Sequence, residues 1–73
     1  MNEFDKLKKI IASKTSSSED NIDMNTSMKN LSKWDSMAHL QITMEIEKKF
    51  KKIKTSELMS LTSIKEILRY IKN

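Results

Sequence analysis

Neither glycine nor proline occurs anywhere in the 73 residues. Without proline, no ring clash forbids helix at any point along the chain. Without glycine, the Walker-type phosphate loop, the GxGxxG dinucleotide turn and the GxSxG nucleophile elbow are all excluded, because each needs backbone that only glycine tolerates. Cysteine is absent as well. Disulfides and thiolate zinc sites are therefore out, and a reducing compartment fits. The one histidine, His39, cannot by itself build a histidine metal site, so no metal is expected. A chain of 73 residues makes one domain at most, over residues 1–73. A domain of this size buries only about 60% of the surface of its unfolded chain. The composition points to a small all-helical domain without room for an ordinary catalytic cleft.

Spacing locates the helices. Phe4, Leu7, Ile10 and Ile11 form one stripe of a helix over about 2–14. The polar cluster Thr15-Ser16-Ser17-Ser18-Glu19-Asp20-Asn21 then favours turns, since such side chains compete for backbone hydrogen bonds. The connection over 15–33 is long for a helical domain. Its scattered apolar residues Ile22, Met24, Met28 and Leu31 predict that it lies across the helices. A second helix is expected over 35–50, capped by Asp35, or by Ser32 with Asp35 completing a capping box. It carries two apolar stripes: Met37, Leu40 and Met44 on one face, and Ile42, Ile46 and Phe50 on nearly the opposite one. A helix of that kind is buried centrally, or is buried on one side and used for contact on the other. Thr55 or Ser56 can cap a short third helix. Ser63 and Glu66 make a capping box for a last helix with the stripe Ile64, Ile67, Leu68 and Ile71, and Arg69 and Lys72 suit its C-terminal dipole.

The net charge is +4, with five lysines (Lys48, Lys49, Lys51, Lys52 and Lys54) crowded around the end of the second helix. Such a cluster fits a solvated face or a surface that steers partners. No apolar run approaches the ~18 residues of a membrane span, so no stable membrane insertion is expected. Met-Asn-Glu-Phe-Asp-Lys at the start lacks the apolar stretch of a secretory signal, which makes a cytoplasmic protein the expectation. Asp35, Ser36 and His39 superficially offer acid, nucleophile and base. A hydrolytic triad is rejected, because Asp35 precedes the serine instead of orienting the far ring nitrogen, and no glycine-rich oxyanion loop exists. His39 reads as a solvated residue of a first helical turn. Ser36 reads as a first-turn residue in a good place for a phosphate ester, where free N–H groups and the positive end of a helix dipole meet an anion.

Trp34-Asp35-Ser36-Met37-Ala38-His39-Leu40, followed by Ile42, Met44, Ile46, Glu47 and Phe50, resembles the Asp-Ser-Leu/Met motif and second helix of the acyl carrier proteins. The helix order agrees along essentially the whole chain. The resemblance implies a four-helix bundle with three main helices, a short third one and a long first loop. It implies that the protein is not an enzyme. Ser36 would be esterified with 4′-phosphopantetheine by a phosphopantetheinyl transferase using coenzyme A, which would make the chain a phosphoprotein, and Asp35 would belong to the motif that the transferase reads. The arm's thiol would carry an acyl or aminoacyl group as a thioester. Met37, Leu40, Met44 and Glu47 would dock loading and transfer enzymes. The family's fatty-acid carriers are usually acidic; this basic chain with Trp34 looks more like carriers of specialised biosynthetic pathways. A monomer without nucleic acid is expected. The competing class is a small basic helical module for nucleic acid or protein. Against nucleic acid, the 15–33 connection is far too long for a helix-turn-helix, and aromatics for base stacking are few.

Overall fold

The computed structural model describes residues 2–50 and 53–72. Among these residues four α-helices follow in order: α1 over Glu3–Thr15, α2 over Ser36–Lys49, α3 over Thr55–Leu58 and α4 over Ile64–Lys72. Among the described residues there is no strand, only a lone antiparallel bridge between Ser27 and Ser63. The all-α bundle with a short third helix and a long first connection is as expected.

Each helix end has a local cause. The Asn2 side chain caps α1 by accepting from the Asp5 N–H at 2.8 Å, and Glu3 and Asp5 place negative charge in its first turn. α1 stops at Ser16, whose φ of 53° is left-handed. Glycine usually takes this position. In a chain without glycine the strain falls on a serine. Ser63 Oγ caps α4, accepting from the Glu66 N–H at 3.2 Å and donating to the Glu66 carboxylate at 3.0 Å. α3 departs from the sequence reading. Neither Thr55 nor Ser56 caps it; Lys54 stands at the cap position without a side-chain bond. The Thr55 hydroxyl is used elsewhere, donating to the Glu47 carboxylate of α2.

The long connection is built from turns. Ser18 caps a 3-10 turn over Glu19–Asn21, Asp23 and Thr26 bond each other's backbone and side chain, and Asn30 spans back to Asn25 and Ser27. Two backbone bonds, Met28 N–H to Thr62 O and Ile64 N–H to Thr26 O, tie it to the start of α4. Ile22 is buried, and Met28 and Leu31 pack on the core. Met24 does not follow the expectation: it faces solvent.

α1 and α2 run antiparallel, with Lys14 beside Glu45 at one level and Lys6 over the Phe50 ring at the other. Leu7 and Ile11 of α1, Ile42 and Ile46 of α2, Leu58 of α3 and Ile64 and Ile67 of α4 are fully buried together. Trp34 joins them as the largest fully buried side chain, contributed by the loop rather than by any helical stripe. Tyr70 of α4 donates its O–H to the Glu57 carboxylate of α3. That hydrogen bond, helped by lost hydration and by the carboxylate's charge, raises the tyrosine pKa above its ordinary value.

Candidate functional site

The core uses one stripe of α2 and leaves the other in water. Ile42 and Ile46 have no exposed surface, and Phe50 packs at the core's edge. On the opposite face Met37 is 69% exposed, Leu40 42% and Met44 58%. Single exposed apolar residues are ordinary, but three on one helix face are a contact surface in form. Met59 at the end of α3, 43% exposed, lies alongside α2. The Thr43 hydroxyl of α2 lies 3.8 Å from the Met59 sulfur and so places it there. Met59 was not singled out from sequence, although a methionine just past a four-residue helix was the available signal.

Ser36 stands at the head of this face as the first residue of α2. Asp35 is the cap, as one of the two sequence readings has it. Its backbone is extended, and its carboxylate accepts the Ala38 N–H at 2.9 Å. The carboxylate satisfies one of the N–H groups that a helix start leaves without a partner and orients the turn that displays Ser36. The serine side chain is exposed. Beside it a shallow depression is lined by Lys14, Thr15 and Ser16 from the end of α1, Lys33 and Asp35 from the loop, and Met37 and Gln41 from α2. The setting fits a phosphate ester: an accessible hydroxyl at a helix N-terminus.

His39 is not the solvated residue that the sequence reading expects. It is 2% exposed. The Trp34 indole N–H donates to its Nδ1 at 3.1 Å, and its Nε2 lies 3.2 Å from both the Leu58 and the Met59 carbonyl oxygens. An indole N–H only donates and a carbonyl only accepts, so Nδ1 is the acceptor and Nε2 carries the hydrogen. Both ring nitrogens are engaged away from Ser36, and the arrangement is not that of a catalytic base. A sequence reading of α2 alone has no means of finding this, since the partners lie 19 and 20 residues away.

Lys48, Lys49 and Lys54 are exposed, whereas Lys51 and Lys52 lie outside the described residues. Lys49 and Lys14 both approach Glu45, at 4.0 and 3.9 Å. Pairs as exposed as these contribute little to stability. Glu47 is exposed and holds the Thr55 hydroxyl. Among the described residues, no helix is long and apolar enough to cross a membrane.

A small helical bundle that displays one serine at a capped helix head, beside an uncovered apolar face, has the form of a non-catalytic carrier. The family model for the phosphopantetheine attachment site matches residues 5–71, and the chain belongs to that family. Its members are carriers, not enzymes; they hold 4′-phosphopantetheine covalently and work with a phosphopantetheinyl transferase and with biosynthetic enzymes. No curated protein and no solved structure matches the chain.

Proposed function

We propose that the Ser36 hydroxyl is the attachment point and that Asp35 is part of what the transferase recognises. The observation that carries this is the exposed serine at the first position of α2, directly after the capping aspartate. In the loading step Ser36 Oγ bonds to the phosphorus that bears the pantetheine in coenzyme A. The bond to the adenosine 3′,5′-bisphosphate portion breaks, and the hydroxyl proton is taken up by the transferase. The bound group supplies a thiol, which a chain without cysteine does not have. The chain's own contribution is display: α2 fixes Ser36, and Met37, Leu40, Met44 and Glu47 give incoming enzymes an apolar surface with a carboxylate at its end.

The cargo in this reading is an acyl or aminoacyl thioester, in a specialised biosynthetic pathway or in fatty-acid-type synthesis. The basic charge around Lys48, Lys49 and Lys54 favours partners that do not rely on strongly basic docking patches. Trp34 is no independent sign of pathway, because its burial gives it a structural reason to be there. The chain works as a single domain and a monomer, in the cytoplasm. Incubation with coenzyme A and a promiscuous phosphopantetheinyl transferase, followed by intact mass, tests the attachment: wild type gains one phosphopantetheinyl group and Ser36→Ala gains none.

A further inference from the structure

α3 has only four residues, and a single isolated turn has no stability of its own in water. Its position must come from what it touches. Leu58 plugs the core from one side, and the bonds from His39 to the Leu58 and Met59 carbonyls hold the end of the turn from the other. The same imidazole is held in turn by Trp34. We propose that Trp34 and His39 are positioning residues for the transfer of the arm to Ser36, acting through α3. They fix the end of α3, so that Met59 is held beside Thr43 of α2 and the two helices present one docking surface.

The placement of the two side chains carries the argument. Trp34 lies two residues before Ser36 and His39 three residues after it, so the pair brackets the serine. Both are buried, at 1% and 2% exposure, and their rings are 5.9 Å apart with a 41° tilt. A polar bond lost in such a place is not replaced by one to water. An apolar side chain could fill the space that His39 fills. What the imidazole adds is direction, an acceptor toward the loop that leads into Ser36 and a donor toward α3. The two carbonyls belong to the last turn of α3, where a helix leaves such groups without intrahelical partners. The Leu58 oxygen also accepts from the Leu61 N–H at 2.9 Å, so the bond from His39 reinforces the turn out of α3 as well. Thr43, one turn further along α2, adds the contact with the Met59 sulfur. No ion pair to the ring occurs among the described residues. Two acidic residues next in sequence to members of this cluster are engaged elsewhere: Asp35, beside Trp34, with the Ala38 N–H, and Glu57, beside Leu58, with Tyr70.

This inference rests on the assignment of Ser36, and the experiment separates the two. Initial rates of loading from coenzyme A by a promiscuous transferase are measured against carrier concentration for wild type, His39→Leu, His39→Gln and Trp34→Phe. Circular dichroism checks folding, and hydrogen exchange is followed at the Met59 and Leu61 amides. His39→Leu should raise KM on the order of tenfold, about the factor that one neutral hydrogen bond is worth, with kcat within about twofold of wild type. It should also speed exchange at both amides. His39→Gln, which keeps a donor toward α3, should recover most of the KM and the protection. Trp34→Phe, which removes the indole N–H and keeps an aromatic ring, should raise KM in the same sense. A folded His39→Leu with wild-type KM and wild-type exchange overturns the positioning role, as does a loss that appears wholly in kcat and that Gln does not recover. If His39→Leu does not fold, Trp34→Phe decides on the same criteria. A wild type that accepts no arm overturns the assignment of Ser36 instead.

Discussion

Truncation on the two faces of α2 should have opposite consequences. Ile46 has no exposed surface and lies in the core cluster, whereas Met44 is 58% exposed on the other side of the same helix. Ile46→Ala removes the equivalent of three methylene groups at about 0.8 kcal/mol each. It also leaves a cavity, since the surrounding side chains relax only in part. The total for a buried isoleucine is ~2–5 kcal/mol. A domain of this size holds only ~3–5 kcal/mol, so most of its stability should go. Near 3 kcal/mol the melting temperature falls by roughly 12–24 °C, using 4–8 °C per kcal/mol for a small domain. Met44→Ala gives up little burial and should stay within about 0.5 kcal/mol of wild type. Its effect should appear as weaker loading by a partner enzyme. Thermal melts followed by helical circular dichroism, with loading kinetics on the same preparations, check both halves. A Met44→Ala protein that unfolds as badly as Ile46→Ala would refute the division of α2 into a core face and a contact face.

Replacing Lys48, Lys49 and Lys52 with Glu should slow loading by the cognate enzyme chiefly through the association rate, and more at low salt, while the melting temperature barely moves. Kinetics unchanged across ionic strength would make these lysines a solvated face and nothing more. Tyr70 is the only tyrosine, so an absorbance titration reads it alone. Its midpoint should lie above the ordinary value near 10 and return toward it in Glu57→Ala, because the hydrogen bond to Glu57 is the leading cause of the shift. The folded-state value is the raised one. The stabilisation from this contact is therefore complete below the unfolded tyrosine's pKa and is lost as pH rises through the folded value. Denaturant midpoints on either side of that range, in wild type and Glu57→Ala, should diverge below it and converge above it.

Local rules carried a good part of this structure, and their reach ended where contacts became long-range. The stripes of α1 and α4, the two faces of α2 and the caps at Asp35 and Ser63 are all set within one or two turns of chain, so spacing alone reveals them. Trp34 and His39 are different. Trp34 stands between Lys33 and Asp35 and on no helical stripe, His39 reads as solvated, and only folding brings α3 around to supply the two carbonyls that satisfy the imidazole. The start of α3 was misread for a related reason. Thr55 is a good capping residue by type, but in the fold its hydroxyl meets Glu47, and that bond takes it away from the cap. Met24 shows the reverse error, since an apolar side chain in a long loop need not be covered. At the candidate site, Ser36 and its flanking motif were visible in the sequence, whereas Met59 and the buried clamp behind it were not.

Ser36 alone is proposed to carry the arm. Intact mass spectrometry after incubation with coenzyme A and a promiscuous phosphopantetheinyl transferase tests it most directly, with fragmentation to locate the added group. Wild type should gain the mass of one phosphopantetheinyl group on the peptide that contains Ser36. Ser36→Ala, folded by circular dichroism, should gain nothing. Modification of the Ala variant, or a second group elsewhere on the wild type, would contradict the assignment, and so would a folded wild type that no transferase loads.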